Sequence, residues 1–315
     1  MLRFLIVFFS FFIIQLTSAQ SCEMLTELTN DLTNPKTTQA FKNYIKGNND
    51  GIYSYLQLAK AGRTELRTNI EALQAFTKLQ KNENLIKYGI SKGELAGMLK
   101  KGWGGQPEIP AFNVFCNELN DLINNLPVNT KNLKSYLGSA GFTNAASTTQ
   151  RHSYLQLQRL LENKNILGKA DEVIFESEIS ASTFGIGKSV SDIHIILEGR
   201  KIEIETKAGI NFFKGLDEAN FMTQSGNSLM TVSKIEDYKV FLNPGLLDGL
   251  NKEASIKKVV DAWSKQNWFK ESTILDKFKK YGESKGFDFT DYTVQEYLKM
   301  NTEWFDEIFI KNISK

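Results

Sequence analysis

Residues 192–207, DIHIILEGRKIEIETK, restrict the fold more than any other stretch. Two runs alternate with a period of two, and only Gly199-Arg200 separates them, so the segment is expected to be a β-hairpin. Glycine at the first turn position supplies the positive φ of a type II′ turn. In that register Glu198 faces Lys201, Ile196 faces Glu203, His194 faces Glu205 and Asp192 faces Lys207. Cross-strand partners share a face. Ile193, Ile195, Leu197, Ile202, Ile204 and Thr206 then form one apolar face, which needs a covering helix, from either 148–164 or the stretch after 216. Asp192, His194, Ile196, Glu198, Lys201, Glu203, Glu205 and Lys207 form the other.

The charged face has two readings. A solvated face is common on antiparallel hairpins, and it accounts for the half near the turn, where Glu198 and Lys201 make an ordinary cross-strand pair. At the open end Asp192, Glu205 and Lys207 converge, with Glu205 diagonal to Asp192. Two carboxylates and the backbone carbonyl of Thr206 are hard oxygen ligands suited to Mg²⁺ or Mn²⁺. A metal there would acidify a water and stabilise charge on a scissile phosphate, and Lys207 would orient that water or neutralise the transition state. His194 either tunes such a site or has no role. His152 is expected at the surface.

The remaining pattern predicts a mixed α+β protein. Residues 20–146 read as a helical N-terminal region, with apolar stripes in TELRTNIEALQAFTKLQ and PAFNVFCNELNDLINNL. Residues 147–250 give a helix, three strands, a helix and a fourth strand (172–180, the hairpin, then 237–244). Residues 251–315 return to helix, with Trp263, Trp268 and Trp304 as core. Trp103 sits in the WGGQP loop. Residues 1–19 have the layout of a cleaved signal peptide, with Arg3, an apolar run from Phe4 to Ile14 and Thr17-Ser18-Ala19. The run is shorter than the ~20 residues that span a bilayer. The expected location is therefore secreted or periplasmic, and no later stretch is apolar enough to span a membrane. Export permits a disulfide, and Cys22 and Cys116 are either a bridge or two thiols. The net charge is +2, or +1 once Arg3 is removed, so bulk charge selects no partner. Lys188, Arg200, Lys201, Lys207 and Lys214 could form a local basic rim or simply be solubilising charges.

Asp192, followed after a gap by Glu205-Thr206-Lys207, resembles the Asp…(Asp/Glu)-x-Lys signature of the PD-(D/E)XK nuclease superfamily, and the element order at 148–243 is similar to that superfamily's core. Ser191 stands where a proline is usually written. The resemblance covers about a third of the chain. It implies a restriction-endonuclease-like core, Mg²⁺ or Mn²⁺ held by Asp192, Glu205 and the Thr206 carbonyl, and Lys207 assisting the nucleophile. It also suggests an accessory acid, with Glu162 as the match and Glu178 competing, and a role for Gln224. An exported chain of this kind also resembles secreted bacterial toxin nucleases, with AGRTELRTNIEALQAFTKL as a linker-like segment. Such a protein would act on nucleic acid, DNA ahead of RNA, and could have an immunity-type inhibitor partner. The rival class is a secreted, non-enzymatic binding protein. Two isolated histidines exclude a His-rich zinc site. GIGKS lacks the first glycine of a phosphate-binding loop, and QSGNS is not a nucleophile elbow.

Overall fold

The computed structural model describes residues 18–101, 109–139, 148–179, 188–209, 211–214, 216 and 219–313. Residues 1–17 of the expected signal peptide, the Trp103 loop and the glycine turn at 183–187 lie outside them. Helix Ser18–Thr33 runs through Ala19-Gln20, the expected cleavage point.

A five-stranded mixed sheet organises the chain. Its strands are β1 (Thr130–Lys131), β2 (Glu172–Ile179), β3 (Ser189–Leu197), β4 (Arg200–Lys207) and β5 (Tyr238–Leu242), and they lie side by side in that order. β2, β3 and β4 form an antiparallel meander, while β1 joins β2 and β5 joins β4 in parallel. A parallel neighbour needs a crossover, and helix Ala219–Thr231 supplies it between β4 and β5. Helix Thr148–Glu162 precedes the meander. The expected order of helix, three strands, helix and strand is therefore present.

Helices cover one sheet face fully and the other in part. Ile193, Ile195, Leu197, Ile202 and Ile204 share one core with Leu157 and Leu160 of the preceding helix, and with Phe76, Phe112, Phe115 and Leu119 of the N-terminal region. The N-terminal helices thus pack on the sheet's apolar face. On the opposite face Tyr238, Val240 and Leu242 of β5 join a second core with Phe221, Met222 and Leu229 of the crossover helix, and with Trp263, Phe278 and Trp304. All three of the C-terminal tryptophans are buried, as expected. Among the described residues no helix is long and apolar enough to cross a membrane. Cys22 and Cys116 are free thiols, one exposed and one buried.

Some elements differ from the sequence reading. The N-terminal region contains β1, a two-residue strand, where only helices were expected. The stripe from Thr64 to Gln80 is two helices, Thr64–Thr68 and Ile70–Gln80, because Asn69 adopts an extended conformation and its side chain accepts from the Ala72 amide, capping the second helix. TVQEYLKMNTEWFDEIFI is likewise divided, with a capping box at Thr293 and Glu296 opening Val294–Met300 and a π-helical turn at Asp306–Ile310.

Candidate active site

The hairpin register sets the geometry. Leu197 pairs with Arg200, Ile195 with Ile202, His194 with Glu203 and Ile193 with Ile204. The turn is therefore Glu198-Gly199, not Gly199-Arg200. Both residues have positive φ (52° and 72°), the pattern of a type I′ turn, whose twist matches its strands. The partners slide by two residues relative to the expected register, which leaves every side chain on its expected face. The expected pairs Glu198/Lys201, His194/Glu205 and Asp192/Lys207 are replaced. His194 lies opposite Glu203, and one further step places Asp192 beside Glu205.

Past Ile193 and Ile204 side chains take over from the backbone ladder. The Ser191 hydroxyl, fully buried, bridges the carbonyls of Ile193 (3.0 Å) and Ile204 (3.3 Å). The Thr206 amide donates to Asp192 Oδ2 at 2.6 Å. Asp192 therefore holds β4 with its carboxylate.

The charged face is not wet. Glu203 and Glu205 are both fully buried, whereas Asp192, His194 and Ile196 are half-buried and Glu178 is exposed. The crossover helix covers this face over β3 and β4 and the C-terminal layer covers it over β5, leaving it open at β2, where Glu178 is exposed. Lys201 and Glu203, expected as solvated surface, form a covered ion pair at 2.7 Å, and His194 Nδ1 approaches the same carboxylate at 3.3 Å. Burial pushes the Glu203 carboxyl up, but the approach of the His194 imidazole and the Lys201 charge outweigh it and hold it below the usual range.

Glu205 is shifted the other way. Like those of Glu203, its oxygens accept no hydrogen bond of ordinary geometry, but its lysine stands farther off, with the Lys207 ammonium 3.5 Å from Oε2 against 2.7 Å for Lys201 and Glu203. Burial, and then the neighbouring Asp192 charge, raise its pKa well above the usual carboxylate range, against the pull of Lys207. The Lys207 ammonium donates to Gln224 Oε1 at 2.7 Å and lies 5.6 Å from the centre of the Phe221 ring. The Gln224 amide donates in turn to the Val190 carbonyl at 3.3 Å.

The structure thus brings Asp192, Glu205, Thr206, Lys207 and Gln224 together. It does not bring in either accessory acid. Glu162 is exposed and paired with Arg159 at 2.8 Å, on the helix that covers the other face. Glu178 is exposed and paired with Lys188 at 2.8 Å. Among the described residues no three His, Cys, Asp or Glu side chains gather around one point. A cation here would have two carboxylates, with backbone and water completing its shell, which suits Mg²⁺ or Mn²⁺ better than zinc. The fully buried carboxylate of Glu205 beside that of Asp192 fits such an ion. The basic rim is largely neutralised. Arg200 lies 3.2 Å from the buried Asp237, and Lys188, Lys201 and Lys207 each face a carboxylate, whereas Lys214 is exposed.

Sequence reasoning missed the bridging role of Ser191, the burial of Glu203, and Phe221. Phe221 had a signal, since it stands three residues before Gln224 on one helix and so shares its side. No protein-family model, curated protein or solved structure matches the chain.

Proposed function

We propose that this protein is a metal-dependent phosphodiesterase that hydrolyses nucleic acid, DNA ahead of RNA, on a restriction-endonuclease-like core. One observation carries the reading. A strand places a carboxylate out of water, sets the second carboxylate of Asp192 beside it and leaves its lysine 3.5 Å away, so that burial and the neighbouring charge both disfavour its ionised form. A buried anion so arranged is costly unless a cation joins it. Asp192, Glu205 and the Thr206 carbonyl would hold Mg²⁺ or Mn²⁺, and the bound ion would supply positive charge at the scissile phosphate and a more acidic water. Lys207, anchored by Gln224, presents its ammonium to the attacking water or to a non-bridging phosphate oxygen, where developing charge is stabilised most in a covered site. Export and a toxin role, with an inhibitor protein as partner, belong to the same proposal and rest on the N-terminal sequence and the family resemblance.

A second reading has its own support. The bond from the Thr206 amide gives Asp192 a structural task, and the paired rim offers a polyanion little free positive charge. A non-enzymatic binding protein would keep both features.

The test incubates the full chain with DNA and with RNA, each with Mg²⁺ or Mn²⁺, beside Glu205→Gln. The proposal expects cleavage only with metal, reduced about a thousandfold or more in the variant, since the ion's charge stabilisation is worth several kcal/mol. Folded wild type that cleaves neither polymer with either ion contradicts it, as does undiminished cleavage by Glu205→Gln.

A further inference from the structure

Lys207 and Glu205 are two residues apart on one strand face, within easy reach of each other. Both are largely out of water, where their attraction is strongest. Yet they stand 3.5 Å apart, while Lys201–Glu203, Lys252–Asp306 and Lys299–Asp261, all with more exposed lysines, close to 2.7 Å. Something holds the Lys207 ammonium back. Two groups on the crossover helix, one turn apart, are placed to do so. Gln224 takes the ammonium at 2.7 Å and is itself fixed to the Val190 carbonyl. Phe221, buried and braced edge-on against Phe212 at 4.9 Å, offers its ring at 5.6 Å. A ring face attracts a cation without consuming its hydrogen-bond donors.

We propose that Phe221 and Gln224 form a cradle that holds Lys207 off Glu205 and so keeps that carboxylate open to a divalent cation. Phe221 is a positioning residue in this account, since its part in the site is played through the lysine. The inference rests on the metal-site reading above. Without the cradle Lys207 closes onto Glu205 and competes with the ion.

Mn²⁺ binding, followed by calorimetry on the full chain, tests this without reference to activity. Phe221→Leu and Gln224→Met are each expected to weaken Mn²⁺ binding about three- to tenfold, the scale of one cation–ring contact or charged hydrogen bond. In a Lys207→Ala background neither substitution should weaken it further, because the competitor is gone. Gln224→Met changes a half-buried residue and guards against a Phe221→Leu protein that fails to fold. Equal Mn²⁺ affinity in wild type and both variants overturns the cradle, and so does a weakening that persists in the Lys207→Ala background. Wild type that binds no Mn²⁺ overturns the metal-site reading and takes the cradle's purpose with it. The lysine's position is read separately from its ε-methylene protons by NMR. An upfield ring-current shift that disappears in Phe221→Leu is expected, and its absence in wild type contradicts the cradle whatever the metal does.

Discussion

Asp192 accepts the Thr206 amide at 2.6 Å, so substituting it probes structure and chemistry together. Asp192→Ala orphans that amide and should cost about 1–3 kcal/mol in urea unfolding. Asp192→Asn retains an acceptor oxygen and should recover most of that stability while still losing metal-dependent cleavage. An Asn variant as active as wild type would make Asp192 purely structural. Glu205 gives the converse result. Its folded pKa is raised, so the native state binds more protons than the unfolded chain from the ordinary glutamate range upward, and stability falls as pH rises through that window. Glu205→Gln removes the penalty. Without metal it should be about 1–3 kcal/mol more stable than wild type at pH 7, with the gap shrinking toward pH 4. A variant no more stable at pH 7 would mean that Glu205 is better solvated than its burial indicates. At this scale the sequence showed which residue types converge, because alternation assigns faces. It did not show that Glu203 is buried, because that depends on how far a helix from elsewhere in the chain reaches across the sheet.

The hairpin shows the limit of period-two reasoning among elements. Moving the partners by two residues changes every pair and leaves both faces intact, so the pattern could not choose between Glu198-Gly199 and Gly199-Arg200 as the turn. Turn chemistry chose the first, with glycine second in a type I′ turn. Asn69 makes the same point for helices, since an apolar stripe continued through a residue whose side chain caps the next helix instead. The crossover helix carries a testable close contact. A Cβ on Gly226 would lie 2.8 Å from the Trp268 ring. Gly226→Ala must displace a buried indole and should destabilise the protein by about 1–3 kcal/mol, despite alanine's better helix propensity. An unchanged or raised melting temperature would show that the helix does not rest on Trp268.

Across the whole molecule the two helical layers differ in reach. The N-terminal layer covers the apolar face, and the C-terminal core takes in β5 but no residue of β4, which leaves the carboxylate pair at its margin under the crossover helix. The C-terminal segment also grips β5. Lys239, nearly inaccessible, donates to the Glu307 carbonyl at 2.6 Å. Burial lowers its pKa to about 8, against the pull of Glu307, Glu236 and Asp237. The unfolded chain therefore holds more protons between about pH 8 and the ordinary lysine value, and stability should rise with pH across that window. Relative to Lys239→Met, wild type should gain about 1–3 kcal/mol between pH 7.5 and 10. A pH-independent difference would place the ammonium in contact with solvent. The element order was legible in the sequence because each element carries its own period. The layering was not, since it depends on contacts between segments far apart in the chain.

The central claim is that Asp192 and Glu205 share one divalent cation. Crystals grown with Mn²⁺ and measured for anomalous scattering test it most directly. The account predicts a single strong peak within about 2.3 Å of an oxygen from each carboxylate, with Lys207 still seated on Gln224. Saturating Mn²⁺ with no peak there, and Lys207 closed onto Glu205, would contradict it.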